Sequence, residues 1–133
     1  MDVLAYFKSA RNVLAVPAGV IVFQEGEPAK DMYVLLQGAA EVSVGGELVE
    51  IAQPGALLGE MALVDSSPRS ATVITRTDCR FLSVNTRQFD LLMRESPEFG
   101  RHVMKVMADR LRRTNERLKL AVDELAGRGS RPR

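Results

Sequence analysis

The feature that most constrains the fold of this chain is a change of periodicity near Val84. From about Val13 to Val84, short β-type runs alternate with glycine and proline residues. Many short strands at close spacing indicate a sandwich or a barrel rather than a parallel sheet with crossover helices. After Val84 the apolar residues recur with helical spacing. The sequence therefore predicts a mainly β member of the α+β class, in which the main helices follow the strands.

The candidate strands are short apolar runs bounded by turn residues. They are VLAV (13–16), VIVF (20–23), MYVLL (32–36), AEVSV (40–44), ELVEI (47–51), ATVI (71–74) and CRFLSV (79–84). Gly45 and Gly46 separate two of these runs, and because both residues tolerate positive φ angles, a tight hairpin is predicted there. Free cysteine packs well inside proteins, so Cys79 is predicted to be a core residue rather than a redox centre.

Two helices are predicted after the strands. Asn85 is placed as an N-cap, and Gln88 three residues later completes the pattern of a capping box. Ser96 and Pro97 then form a second start signal, because serine caps a helix and proline is tolerated at its first position. The second helix is predicted to end near Gly127.

The long helix carries a regular apolar seam. Its members are Met104, Met107, Leu111, Thr114, Leu118, Ala121 and Leu125. Their alternating spacing of three and four residues is typical of a coiled coil. A domain of this size cannot cover a helix of about 45 Å with its own core. We therefore expect a homodimer through this helix, in which the polar Thr114 sets the register or, alternatively, contacts a ligand.

The length and composition fit one domain. With 133 residues, 46% of them apolar, the chain can form one core and has no room for a second full domain. Its first residues, MDVLAYFKSARNVL, place an acidic residue where a secretory signal has positive charge. No run of about 18 apolar residues occurs. We therefore expect a cytoplasmic protein without membrane association.

Charge is distributed unevenly along the chain. Residues 1–100 hold 8 basic and 13 acidic side chains, whereas residues 101–133 hold 10 basic and 4 acidic ones. One interpretation is a solvated helix surface followed by a disordered basic tail, GRGSRPR (127–133). The other is an anionic partner. The single histidine, His102, lacks the imidazole partners that a metal site would need, and no metal cofactor is expected.

Residues 59–72, GEMALVDSSPRSAT, combine an acidic and a basic residue with a predicted tight turn. The first amides of such a turn lack partners within it and suit an anion, and Gly59 allows close approach to the backbone. The forked donors of Arg69 match two phosphate oxygens, and Glu60 can accept hydrogen bonds from a sugar hydroxyl. The alternative is a Glu60–Arg69 ion pair that closes the loop without a ligand.

This stretch resembles the phosphate-binding cassette of cyclic nucleotide-binding domains, in which Gly-Glu-(Leu or Met)-Ala-Leu is followed, after a spacer, by Pro-Arg-(Ala, Ser or Thr)-Ala. VPAGVIVFQEGEPAKDMYVLLQGAAEVSV is similar to the first half of that family, and MADRLRRTNERL resembles the nucleotide-contacting part of the long helix in the bacterial catabolite activators. The resemblance covers nearly the whole chain. It implies an eight-stranded jelly-roll β-barrel (about 13–84) with a short N-terminal helix, a phosphate-binding turn or helix and a long C-terminal helix (helices about 86–126), within a domain spanning 1–126.

The resemblance also implies a ligand and the residues that bind it. The implied site comprises Gly59, Glu60, Met61, Ala62, Arg69, Ser70, Ala71, Thr114, Asn115, Val42, Val49 and Leu58. Arg69 and Ser70 would bind the exocyclic phosphate, and Glu60 with Gly59 the ribose 2′-hydroxyl. Val42, Val49 and Leu58 would form apolar walls around the ribose and base. Thr114 would meet the amino group of adenine. Asn115, where the activators have serine, would reach across the dimer. This departure leaves base selectivity open, with cyclic AMP favoured over cyclic GMP.

Several functions remain to be compared. The favoured one is a non-enzymatic sensor that binds a cyclic nucleotide and moves its long helix, thereby acting on an unknown downstream protein. A transcription regulator would need a helix-turn-helix module, and only GRGSRPR follows Ala126, so no DNA-binding module is expected unless the chain is an excised fragment. A metal-dependent jelly-roll enzyme would need more than one histidine. A ligand-free dimeric scaffold of the same fold is the remaining alternative.

Overall fold

A computed structural model describes residues 1–129, and within them eight short strands precede two main helices. The strands are β1 (Val13–Val16), β2 (Ile21–Phe23), β3 (Asp31–Gln37), β4 (Ala40–Val44), β5 (Glu47–Ala52), β6 (Leu57–Leu58), β7 (Thr72–Thr75) and β8 (Cys79–Asn85). The helices are α1 (Val3–Tyr6), α2 (Glu60–Asp65), α3 (Thr86–Glu95) and α4 (Pro97–Gly129).

The strands form two antiparallel sheets of four strands each. The order is β1-β8-β3-β6 in one sheet and β2-β7-β4-β5 in the other. This arrangement confirms the eight-stranded jelly roll and the short N-terminal helix. Each of the seven predicted runs matches a strand to within one residue at either end, and β6 is the eighth strand. Gly45 and Gly46, at φ 59° and 82°, form the predicted hairpin turn between β4 and β5.

Two apolar clusters hold the domain together. One lies between the sheets and contains Phe23, Leu35, Phe81 and the predicted core residue Cys79. The other packs α1, α3 and the start of α4 against the outer face of the first sheet. Phe99, which is fully buried, belongs to this second cluster. Burial of such aromatic side chains contributes much of the stability of a small core. The start of α4 is therefore fixed to the domain.

The helix boundaries follow the predicted capping signals. The side chain of Asn85 accepts from the Gln88 backbone N–H at 2.8 Å, and the Gln88 side chain accepts from the Asn85 N–H at 2.9 Å. This is the capping box that the sequence predicts. The helix α4 begins at Pro97 and continues to Gly129, so the predicted tail (127–133) overlaps the helix at its first three residues. The rest of that tail lies outside the described residues.

The second half of α4 is exposed, whereas its first half is partly buried. Val103 is buried in the core, and Val106 and Met107 pack against it. Met107 therefore is the member of the predicted seam that packs against the domain itself. Every residue from 111 to 127 is exposed. None of the described helices is long and apolar enough to cross a bilayer.

Candidate functional site

The stretch from Gly59 to Ala71 folds into the short helix α2 and a loop that returns to β7. Gly59 is the N-cap of α2 and has φ 78°, a left-handed conformation that strains any residue with a Cβ. A Cβ at this position would also overlap Nη1 of Arg69. Glycine is therefore required here both by the backbone conformation and by the arginine that lies against it.

The backbone on both sides of Arg69 is fixed to the loop between β2 and β3. The Arg69 N–H donates to the Glu27 carbonyl at 2.8 Å, and the Gly26 N–H donates to the Arg69 carbonyl at 2.8 Å. These reciprocal bonds, together with the rigid Pro68 that precedes them, hold the arginine in one position. The loop residue is therefore positioned almost as firmly as a residue in a strand.

The Arg69 side chain is buried without a carboxylate partner. Only 7% of the residue is exposed, and it forms no ion pair with any described residue. Its described contacts are a long hydrogen bond from Nη1 to the Gly59 carbonyl at 3.4 Å and the rings of Phe23 and Tyr33. Burial lowers the pKa of Arg69, and the acidic groups of Tyr33, Asp31 and Glu27 offset this only in part, yet a guanidinium stays charged in proteins. An unpaired buried cation of this kind is a ready partner for an anion.

Glu60 pairs with Arg110 of α4 and not with Arg69. The carboxylate is 1% exposed, and its Oε1 accepts from Nη1 of Arg110. The alternative of a Glu60–Arg69 ion pair that closes the loop is therefore wrong. Because the pair formed instead crosses from α2 to α4, it joins the loop region to the long helix.

Arg110 makes two further contacts in the same region. Its Nη2 donates to the Leu57 carbonyl at 2.5 Å, and its Nε donates to Glu50 at 3.4 Å. Burial disfavours the charge of Arg110, but the carboxylates of Glu60 and Glu50 outweigh burial and raise the pKa of this arginine. The cation is therefore firmly held between two acidic residues.

Two more arginines connect α4 to strand β5. Nη1 of Arg113 lies 3.6 Å from the Glu50 carboxylate. Nη2 of Arg117 donates to the Val49 carbonyl at 2.5 Å. Together with Arg110 they occupy one face of the helix, because positions three and four apart are neighbours on a helix surface. This face of α4 covers the site.

These elements enclose a cavity of about 220 Å³. Its lining is Phe23, Val42, Val44, Val49, Glu50, Leu58, Gly59, Glu60, Met61, Ala62, Arg69, Ser70, Ala71, Val73, Arg110, Arg113, Thr114 and Arg117. The volume far exceeds the roughly 10–15 Å³ of such space that holds one water, so the cavity can take a small molecule. Four arginines and two glutamates give the lining a net positive charge. The cavity therefore suits an anion that also carries an apolar or hydroxyl-bearing part.

The structure brings together all but one of the residues that the sequence assigned to a ligand site. Asn115 is the exception: it is exposed and does not line the cavity. Seven lining residues were missed from the sequence, namely Phe23, Val44, Glu50, Val73, Arg110, Arg113 and Arg117. The three arginines are spaced three and four residues apart on one helix face, but other basic residues of α4 lie among them, so their spacing alone does not single them out. Among the described residues, no group of histidine, cysteine or acidic side chains could hold a metal ion.

Comparison with known proteins identifies the fold and the family. Residues 13–96 match the family described as Cyclic nucleotide-binding domain. A cyclic nucleotide-gated potassium channel of Mesorhizobium japonicum is 36% identical over 108 residues, which are 81% of this chain and 30% of the channel. A CRP-like cAMP-activated global transcriptional regulator of Mycobacterium tuberculosis is 33% identical over 77% of this chain and 48% of the regulator.

A solved structure extends the likeness to the three-dimensional fold. The Thermus thermophilus catabolite activator protein superimposes with a TM-score of 0.75 at 26% identity, over 90% of this chain and 57% of that chain. The chain thus spans only part of the length of these relatives. Since the family match covers strands β1 to β8 and helix α3, the chain belongs to the cyclic nucleotide-binding domain family.

Proposed function

We propose that this chain is a cytoplasmic, non-enzymatic sensor domain that binds a cyclic nucleotide and passes the signal to a downstream protein. The observation that carries the proposal is Arg69, a buried arginine that forms no ion pair with any described residue and lines a cavity beside Glu60. A cyclic phosphate supplies the missing negative charge, and a ribose hydroxyl suits the glutamate.

Each part of the ligand has a chemical counterpart in the cavity. Arg69 and the Ser70 hydroxyl bind the exocyclic phosphate oxygens, because a guanidinium matches two such oxygens. Glu60 has a second carboxylate oxygen beyond the one that Arg110 uses, and this oxygen accepts from the ribose 2′-hydroxyl. Val42 and other apolar residues of the lining pack against the sugar and base.

Thr114 favours cyclic AMP over cyclic GMP. Its Oγ1 donates to the Arg110 carbonyl at 3.0 Å, so the hydroxyl has only acceptor capacity left for a ligand. Adenine presents an amino donor at position 6, where guanine presents a carbonyl acceptor. The name of the Mycobacterium tuberculosis relative, a cAMP-activated regulator, supports the same preference. Asn115, on the outer surface, would reach the ligand of a partner subunit.

The arginines of α4 provide a way to couple the ligand to the helix. Arg110 contacts Glu60, which we assign to the ribose, while Arg113 and Arg117 contact β5, which borders the cavity. A bound nucleotide that competes for these contacts, or that strengthens them, would favour one position of α4 over another. Signalling requires only that difference in affinity.

The outward part of α4 suits a homodimer. Met104, Leu111, Leu118 and Leu125 are each at least 60% exposed, and each is seven residues from the next. A second copy of the helix would cover this seam. Replacing Leu118 by glutamate should halve the mass measured by light scattering, whereas the same change at the outward Lys119 should leave the mass unaltered. A wild-type monomer would refute the dimer.

The test of ligand binding is titration calorimetry with cyclic AMP and cyclic GMP on protein stripped of bound nucleotide. Replacing Arg69 by alanine should weaken binding by about 1.5–3 kcal/mol, roughly tenfold to 150-fold. Replacing the exposed Arg76, which lies outside the cavity, is the matched control and should have no effect. Absence of heat with either nucleotide on folded protein would favour the ligand-free scaffold. Nucleotide recovered intact after long incubation would support binding without hydrolysis.

A further inference from the structure

The guanidinium of Arg69 rests on an aromatic ring instead of a carboxylate. Its Cζ lies 4.1 Å from the centroid of the Phe23 ring and 5.9 Å from that of Tyr33. The Phe23 and Tyr33 rings are themselves stacked, with centroids 6.0 Å apart and an interplanar angle of 23°. Tyr33 in turn meets Phe81 edge-on at 6.1 Å. The arginine therefore lies at the end of a row of aromatic rings that starts inside the β sandwich.

This arrangement leaves the positive charge of Arg69 available to bind an anion. A carboxylate partner would occupy the N–H donors, which lie in the guanidinium plane, and would compete with an incoming phosphate. A ring instead attracts the cation to the ring face and occupies none of its N–H donors. Among the described residues, the Gly59 carbonyl is the only hydrogen-bond acceptor of the Arg69 guanidinium, so its other N–H donors can bind an anion in the cavity.

We propose that Phe23 is a positioning residue for the phosphate group, because its ring fixes the plane of the Arg69 guanidinium without neutralising it. This inference rests on the proposed function, since it assigns Phe23 a role in binding the same cyclic nucleotide. Phe23 also lines the cavity and is 7% exposed. Its ring is therefore held by the core on one side and faces the arginine on the other.

Replacement of Phe23 by leucine should lower the affinity for cyclic nucleotide by about 3-fold to 30-fold, the range expected for a cation–π contact in a partly dry site. The conservative change Phe23→Tyr keeps the ring and should restore the affinity to within about twofold. Titration calorimetry gives both values. In an Arg69→Ala background, Phe23→Leu should change affinity by less than about twofold, because the cation on which the ring acts is gone.

The matched control is Phe81→Leu, which removes a ring from the same core cluster without a direct contact to Arg69. If Phe81→Leu lowers affinity as much as Phe23→Leu does, the effect comes from a general disturbance of the core, and the proposal is overturned. An unchanged affinity in Phe23→Leu, or an equal loss in the Arg69→Ala background, would also overturn it.

A measurement without nucleotide separates this proposal from the proposed function. In ligand-free protein, the ring of Phe23 should shift the Arg69 side-chain proton resonances upfield in the NMR spectrum, and Phe23→Leu should abolish the shift. Ordinary Arg69 resonances in the wild type would overturn the positioning role even where nucleotide binds. If nucleotide does not bind, the proposed function fails at the first titration, and the resonances still decide whether Phe23 orients the arginine.

Discussion

Replacing Arg110 by methionine would remove the positive partner of a buried glutamate. Methionine keeps much of the volume of the arginine stem and adds no new charge. In the variant, Glu60 would remain 1% exposed with its main counter-charge gone. The Leu57 carbonyl would lose its hydrogen bond at the same time. The variant therefore tests whether the Glu60–Arg110 pair holds α2 against α4.

The expected destabilisation follows from the burial of the two partners. Removing one partner of a buried ion pair costs about 3–5 kcal/mol, because the other charge is left unpaired. The Arg110 side chain is 25% exposed, and water reaching it screens part of that cost. We therefore expect Arg110→Met to lower the free energy of unfolding by about 2–3 kcal/mol, and the melting temperature by about 6–15 °C. Urea denaturation followed by circular dichroism measures the first value.

Two further variants make this prediction specific. Arg112→Met changes a neighbouring arginine that is 72% exposed, and it should alter stability by less than about 0.5 kcal/mol. The double variant Arg110→Met, Glu60→Gln removes the stranded charge, so its cost should be smaller than the sum of the two single costs by at least about 1 kcal/mol. Additive costs, or equal effects of Arg110→Met and Arg112→Met, would refute the reasoning.

Three other changes test separate parts of the structure. Gly59→Ala should lower nucleotide affinity more than tenfold in calorimetry, because the new Cβ would overlap Arg69. The control is Gly19→Ala, since Gly19 has a similar φ of 81° but open space around it. This control should cost only about 1 kcal/mol of stability and leave affinity unchanged. Thr114→Val should weaken cyclic AMP binding about fivefold to tenfold and reduce its preference over cyclic GMP, and an unchanged ratio of the two dissociation constants would remove Thr114 from base recognition. Asn85→Ala should lower the free energy of unfolding by about 1 kcal/mol through loss of the capping box at α3, and no change in urea denaturation would contradict that role.

Local sequence signals were enough to predict most strands and helices, whereas the jelly-roll topology was implied by the family resemblance. The hairpin at Gly45 and Gly46 and the start of α3 at Asn85 each depend on residues a few positions apart, so their chemistry is readable in the sequence. The strand β6 is only two residues long, Leu57 and Leu58. It exists because β3 pairs with it, and a run this short has no periodicity of its own.

Only part of the candidate site could be predicted from the sequence, because some of its residues are far apart along the chain. Gly59, Glu60 and Arg69 lie within eleven residues, so their spacing could be compared with a known pattern. The partner of Glu60 is fifty residues further along the chain, and nothing local distinguishes Arg110 from the adjoining basic residues of α4. The role of Phe23 could not be predicted either, because its sequence context is that of an ordinary core residue of a strand. Its contact with Arg69 depends on how the loop after α2 returns across the second sheet.

Under the proposed function, the position of Arg110 would allow one helix to serve the ligand and a partner chain together. Successive residues on a helix are about 100° apart, so Arg110 faces the cavity while Leu111 points away from it. Arg117 and Leu118 repeat the same pair two turns later, one bonded to β5 and the other exposed. A rotation of α4 that changes the arginine contacts must therefore change the angle of the leucine seam. Any ligand that binds the two helix orientations unequally also biases how the seam meets a second copy.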